Sequence, residues 1–222
     1  GTYNFTNLIP GIYNLVVTKD VRTVTSKVEL TENKTCDATL PKGATNSIVE
    51  VTPGSPDIVV GNLDTVFKET DTTVYTAADQ TTVSEGGKVE ITFTADEKQR
   101  DDTDIDNDME QIVEKKDDAV TVGLVMDYTL EKTVTQANSQ PGTPTRIPQS
   151  NVLLEVLLPL PTELQGKDSY SVYRVHSSTG DEADKQVQEL KQGENNKNEL
   201  GEYFTVRSDK TGLTLYVKCF ST

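Results

Sequence analysis

The sequence predicts an all-β protein, and three observations support that prediction. Only 34% of the 222 residues are hydrophobic and none is Trp, so the core must consist of thin layers of Val, Leu, Ile and Tyr, which suit sandwiches better than helical bundles. Thr and Val are abundant, and their β-branched side chains favour strands. Several segments alternate apolar and polar residues. A chain of this length suits two modules in series, and we predict β-sandwiches of Ig-like or prealbumin-like type.

The first predicted module covers residues 1–43 and is truncated. Its expected strands are Tyr3–Phe5 with Ile12–Thr18, then Val24–Leu30 and Lys34–Leu40. A turn separates the first two, because Pro10 fixes its φ angle and Gly11 tolerates a positive one. Few sandwiches can be completed from so few strands, so we expect the chain to start inside the pattern.

Residues 1–17 also carry a family resemblance. Their sequence, Gly-Thr-Tyr-Asn-Phe-Thr-Asn-Leu-Ile-Pro-Gly-Ile-Tyr-Asn-Leu-Val-Val, resembles the G-x-Y-x-F-x-N-L-x-P-G-x-Y-x-L-x-V signature of carboxypeptidase-regulatory-like, prealbumin-like sandwich repeats. The resemblance implies a stalk module without catalytic residues. Its aromatic residues are expected to face inward with the period of two that a strand has.

The second predicted module covers residues 44–222. Its strands are expected at Ser47–Val51, Asp57–Val60, Asp64–Phe67, Thr72–Ala77, Lys88–Thr94, Val120–Val134, Val152–Pro161, Ser169–Val175 and Val187–Leu190, with a closing hairpin of Tyr203–Arg207 and Leu213–Phe220. The alternation of Lys88–Thr94 is the clearest in the chain. One short helix is expected over Met109–Lys116, because acidic residues precede it and lysines end it.

The later part of the chain carries a second resemblance. The segments, in order, are Leu158–Pro161, Tyr170–His176, Gly201–Val206 and Val217–Thr222. Together they resemble a module of Gram-positive surface proteins that lies next to the wall-anchoring segment and ends in Phe-Ser-Thr. The resemblance implies an extracellular location, at the cell surface or cell wall, with neighbouring modules of the same protein as partners.

Charge and hydropathy exclude several classes of function. The net charge is −15 and the pI is about 4.4, whereas a nucleic-acid binder needs a basic face to neutralise phosphates. Binding to an anionic membrane surface is disfavoured for the same reason. No stretch approaches the roughly 20 apolar residues of a membrane span, so no membrane insertion is expected within this sequence.

The acidic run over residues 101–108 is the candidate metal site. The calcium ligands would be Asp102, Asp104, Asp106 and Asp108. Counted from Asp102, however, an EF-hand requires Gly at the sixth position and Glu at the twelfth, where this chain has Asn107 and Val113. The favoured interpretation is a solvated loop whose carboxylates cap the following helix. Calcium is the one cofactor left open.

A single histidine limits the catalytic chemistry that the chain can perform. His176 cannot build a zinc site alone, and no nucleophile motif lies near it. Arg174 and His176 lie on the same face of their predicted strand, which makes them a candidate binding patch. Cys36 and Cys219 are each interpreted as a buried thiol, with a long-range disulfide as the alternative. Surface modules of the resembled kind sometimes contain Lys–Asn isopeptide bonds, for which no closing motif stands out.

The sequence therefore predicts a non-catalytic stalk module that spaces an adhesive or enzymatic head from the cell wall. The alternative is a binding module for carbohydrate or host protein, which would use the loops at residues 136–149 and 177–199. Those loops contain no cluster of aromatic residues, and the sequence does not identify a ligand.

Overall fold

The computed structural model of the chain describes residues 4–19, 22–32, 34–38, 40, 42–68, 74–98, 112, 123–176 and 185–220. Most of the regular structure in these residues is strand, which confirms the predicted β-rich class. The strands are β1 (Gly11–Lys19), β2 (Arg22–Leu30), β3 (Ala44–Val51), β4 (Val59–Val60), β5 (Lys88–Glu97), β6 (Met126–Thr135), β7 (Thr145–Arg146), β8 (Gln149–Pro159), β9 (Val172–His176), β10 (Gln186–Leu190), β11 (Tyr203–Val206) and β12 (Gly212–Cys219). One α-helix, α1 (Ala77–Ser84), and 3-10 helices at Leu63–Phe67, Thr162–Leu164 and Glu194–Asn196 complete the described elements.

The strands form two four-stranded sheets and two hairpins. One sheet has the order β3-β5-β6-β7 and the other the order β11-β12-β8-β4. All pairs in them are antiparallel except β3 with β5, which are joined by a long crossover that contains α1. Strands β1 and β2 pair with each other, as do β9 and β10.

A single apolar cluster contains residues from both four-stranded sheets. Strand β5 supplies Ile91 and Phe93, β8 supplies Leu154 and Val156, and β12 supplies Leu215. The alternation predicted for Lys88–Thr94 is confirmed, because Val89, Ile91 and Phe93 are fully buried and the even-numbered residues between them are not. Burying a large aliphatic or aromatic side chain contributes about 1.5–3 kcal/mol, so this cluster is the main source of stability.

Helix α1 begins at a capping box. The Thr76 hydroxyl accepts a hydrogen bond from the Asp79 N–H (3.2 Å), and the Asp79 carboxylate accepts one from the Thr76 N–H (2.7 Å). The same carboxylate forms a buried ion pair with Lys132 of β6 at 2.8 Å. Burial acts to raise the pKa of Asp79, but the hydrogen bonds from Lys132 and Thr76 outweigh it and hold the pKa below its ordinary value.

The helix corrects one of the predicted strands. The sequence predicts a strand over Thr72–Ala77, yet Thr76 caps a helix that starts at Ala77. Three further predictions are wrong: Asp64–Phe67 lies in a 3-10 helix, and the described residues of Tyr3–Phe5 and of Lys34–Leu40 form no strand. The capping box at Thr76 and the local contacts of Asp64–Phe67 override a weak β propensity.

Other predicted strands are confirmed with small shifts of their ends. Ser47–Val51 lies within β3, Val152–Pro159 within β8, and Tyr203–Val206 pairs with Leu213–Tyr216 in the closing hairpin. The acidic run and the helix expected over Met109–Lys116 lie, apart from Ile112, outside the described residues.

None of the helices found in the described ranges has the length and apolar character needed to cross a membrane.

We predict that Thr76→Ala lowers the free energy of unfolding by about 1 kcal/mol, because it removes the N-cap acceptor of α1. Urea denaturation of the full chain measures this change. Thr81→Ala is the matched control: Thr81 lies inside the same helix, its hydroxyl donates to the Ala77 carbonyl oxygen, and Ala has the higher helix propensity. Equal destabilisation by the two substitutions would contradict the capping role.

Candidate functional site

Glu202 is a fully buried acidic residue just before β11, and it lies at the centre of a polar network. Its Oε1 atom accepts hydrogen bonds from the backbone N–H groups of Lys218 (2.8 Å) and Cys219 (3.1 Å). Its Oε2 atom accepts one from Asn198 Nδ2 (3.0 Å) and lies 3.2 Å from Arg174 Nη1. These donors replace the water that a buried carboxylate loses.

A register shift between β12 and β8 makes the two backbone donors available. Val217 is registered opposite Leu154 of β8, whereas Cys219 is opposite Gln149, so the ladder shifts between Val217 and Cys219. Such a shift leaves backbone groups without their partners in the ladder. The Glu202 carboxylate accepts from the two successive N–H groups at this shift, and it thereby holds the end of the strand.

Arg174 connects this carboxylate to the hairpin of β9 and β10. Its guanidinium contacts Glu202 through Nη1 and donates to the Gln188 side-chain oxygen through Nη2. Gln188 is the cross-strand neighbour of Arg174. Asn198 donates to Gln188 (3.1 Å), and its own Oδ1 atom accepts from the Glu202 N–H (2.8 Å). The hydrogen bonds of the Arg174 guanidinium are charge-assisted, and such bonds are stronger than neutral ones.

His176 lies two residues after Arg174 on β9, and its ring also bonds within the chain. Nδ1 is 2.8 Å from the carbonyl oxygen of Phe220, to which the ring donates when Nδ1 carries its proton. Burial lowers the pKa of His176, and this effect outweighs the Phe220 carbonyl, which acts to raise it. The neutral ring is therefore the favoured form at neutral pH.

The two cysteine thiols have different surroundings. Cys36 is exposed and Cys219 is buried, and both are free. Burial raises the pKa of the Cys219 thiol, with Arg174 opposing this effect and Glu202 adding to it. A thiol in this state is a poor nucleophile, because the thiolate is the reactive form.

The structure brings Arg174 and His176 together as the sequence predicted, and it adds partners that the sequence did not suggest. Their polar atoms bond to Glu202, Gln188 and the Phe220 carbonyl rather than pointing away from the chain. Glu202 could not be found by sequence reasoning, because its burial depends on segments up to 28 residues away. The binding role of Arg174 and His176 stays a prediction.

The predicted calcium ligands Asp102, Asp104, Asp106 and Asp108 lie outside the described residues. Within the described ranges, no group of three or more His, Cys, Asp and Glu side chains is arranged to hold a metal ion.

Comparison with protein-family models, curated proteins and solved structures found no match to this chain.

We predict that Glu202→Gln lowers the free energy of unfolding by about 3 kcal/mol, because it leaves the largely buried Arg174 charge uncompensated. Urea denaturation of the full chain measures the effect. The control is Glu189→Gln, since Glu189 pairs with the exposed Lys191 and such pairs contribute about 0–1 kcal/mol.

A double variant distinguishes the charge pair from simple loss of packing. Arg174→Met in the Glu202→Gln background should restore part of the lost stability, because it removes the unpaired charge. Strictly additive losses from the two substitutions would contradict an energetic coupling between them.

We predict that His176 titrates below its ordinary pKa in the native chain and near that value when unfolded. The unfolded chain then binds more protons over the interval between the two pKa values, so the free energy of unfolding rises with pH there and is lower on the acidic side. His176 is the only histidine, so its imidazole resonances in an NMR titration are unambiguous. A native pKa at or above that measured in urea would contradict the effect of burial.

Proposed function

We propose that this chain is a non-catalytic structural module of an extracellular bacterial surface protein, and that it spaces a functional head from the cell wall. In this proposal, residues 44–222 form an Ig-like sandwich and residues 1–43 belong to a prealbumin-like one. The composition, the acidic charge and the two sequence resemblances support this assignment.

The shared core supports the sandwich. Inward residues of β5 and β6 and inward residues of β8 and β12 belong to one apolar cluster. Phe93 of β5 contacts Phe220, just after β12, edge to face, with ring centroids 5.9 Å apart. Two sheets packed by alternating inward side chains are the defining arrangement of a sandwich.

The contacts of two buried carboxylates, Glu202 and Asp79, are the observation that supports the structural role. Glu202 ties β11 to Arg174 on β9 and to the end of β12. Asp79 ties α1 to Lys132 on β6. Each of these carboxylates joins elements that are distant in sequence, so their hydrogen bonds hold the fold together. A spacer needs such cross-links, because it must stay folded when it is pulled or exposed to proteases.

Stretching single molecules tests this proposal. In a polyprotein in which the chain alternates with marker domains, we expect residues 44–220 to unfold in one cooperative step. We also expect Glu202→Gln to raise the unfolding rate about tenfold, as a loss of about 1.4 kcal/mol on the unfolding side of the barrier would do.

Glu189→Gln serves again as the control and should leave the unfolding rate unchanged. A chain that extends gradually, without a resolved unfolding step, would exclude a role as a mechanical spacer. Loss of the step in the Glu189→Gln variant would show that the measurement does not report on the buried network.

A further inference from the structure

The two four-stranded sheets present different surfaces on the side that faces away from the shared core. On β5 and β6, every outward residue is Thr, Lys, Glu or Asp. On the other sheet the outward positions include Leu157, Tyr203 and Tyr216, and the neighbouring Val59 is 57% exposed. None of these four belongs to the core cluster. The first face has the composition of a solvated surface, and the second has that of a contact surface.

Four residues form a row across the second face, which we call the tyrosine row. Tyr203 of β11 is registered opposite Tyr216 of β12, and Tyr216 is opposite Glu155 of β8. The N–H of Gly61 donates to the Glu155 carbonyl oxygen (2.9 Å), so Gly61 continues the row. The two tyrosine rings are stacked, with centroids 4.3 Å apart and an interplanar angle of 13°.

The glycine leaves room beside the carboxylate. A Cβ atom at position 61 would lie 3.6 Å from the Glu155 Oε2 atom, in ordinary van der Waals contact. Because Gly61 has no side chain, the row does not cover this side of the carboxylate. Any larger residue at position 61 would begin to fill the space.

Two carboxylates act on the tyrosine pair. Burial raises the pKa of Tyr203 and of Tyr216, and the negative charges of Glu155 and Glu194 raise both further. Lys218, two residues after Tyr216 on β12, is the nearest cation along that strand. The potential at the rings therefore favours a positive group, and the chain's net charge of −15 adds a long-range attraction.

We propose that the tyrosine row binds an arginine side chain presented by a cationic segment of a partner protein. A guanidinium can stack on a tyrosine ring and form a bidentate pair with a carboxylate, a combination that an ammonium cannot match. Val59 and Leu157 would contact the apolar part of the same segment. This inference is independent of the structural role proposed above.

Two other occupants fit the row less well. A second copy of the chain carries the same charge of −15, and the approach of two such surfaces is disfavoured. A polysaccharide would use coplanar rings that stack on successive sugars, whereas these two rings stack on each other. Arginine needs only one face and the adjacent carboxylate.

The test uses the full chain and three eight-residue peptides in which Gly alternates with Arg, Lys or citrulline. Binding is measured by calorimetry at about 150 mM salt, where long-range attraction is screened, and NMR chemical-shift changes locate the contact. We expect the Arg peptide to bind more tightly than the Lys peptide, the citrulline peptide to bind weakest, and the shifts to centre on the tyrosine row.

Three variants separate a local site from general attraction to an acidic protein. Glu155→Gln should weaken binding of the Arg peptide about fivefold. Gly61→Leu should weaken it similarly with no change in net charge, because the new side chain fills the space beside Glu155. The control Glu50→Gln removes the same charge from the exposed outer side of β3 and should leave affinity within about twofold. Urea denaturation verifies that each variant is folded.

Several results would overturn the proposal. One is equal weakening by Glu155→Gln and Glu50→Gln, which would indicate attraction to net charge alone. Others are unchanged affinity in Gly61→Leu, binding of the citrulline peptide as tight as that of the Arg peptide, or shifts centred away from the row. Shifts at the row produced by an oligosaccharide, or by self-association on concentration, with none from the Arg peptide, would assign the surface to that other occupant.

Discussion

The hydrogen bonds between the Glu202 carboxylate and the end of β12 are the constraint on which the rest of this structure most depends. A fully buried carboxylate is stable only when donors replace its lost water, and these come from the N–H groups of Lys218 and Cys219, from Asn198 and from Arg174. Four segments of chain must therefore meet at one point. Their meeting fixes the end of β12, the position of β9 and the loop that leads into β11.

The same constraint sets the geometry of the outer face. Glu202 points inward and Tyr203, the next residue, points outward, because successive side chains of a strand alternate. Tyr216 lies two residues before Lys218, whose N–H the carboxylate holds. The network thus fixes both strands that carry the stacked tyrosines, so a structural cross-link on one side of the sheet supports a surface for recognition on the other.

The chain combines these polar cross-links with a core of modest side chains. It contains no Trp, and its core relies on aliphatic residues with Phe93, Phe204 and Phe220. Two buried carboxylates, Glu202 and Asp79, each join elements that the apolar core alone would not register. Apolar packing is non-directional, whereas a hydrogen-bonded ion pair specifies which residues meet.

The sequence by itself determined the β-rich class, the alternation of Lys88–Thr94 and the closing hairpin, because strand periodicity and turn residues are local signals. It also placed Arg174 and His176 on one face. The helix Ala77–Ser84 begins at a capping box formed by Thr76 and Asp79, which is a local signal, and the tertiary pair with Lys132 reinforces it. Tertiary structure alone decided that Glu202 is buried and that Tyr203, Tyr216 and Glu155 share a row. These features depend on which distant strands become neighbours, and no local pattern of residues encodes that.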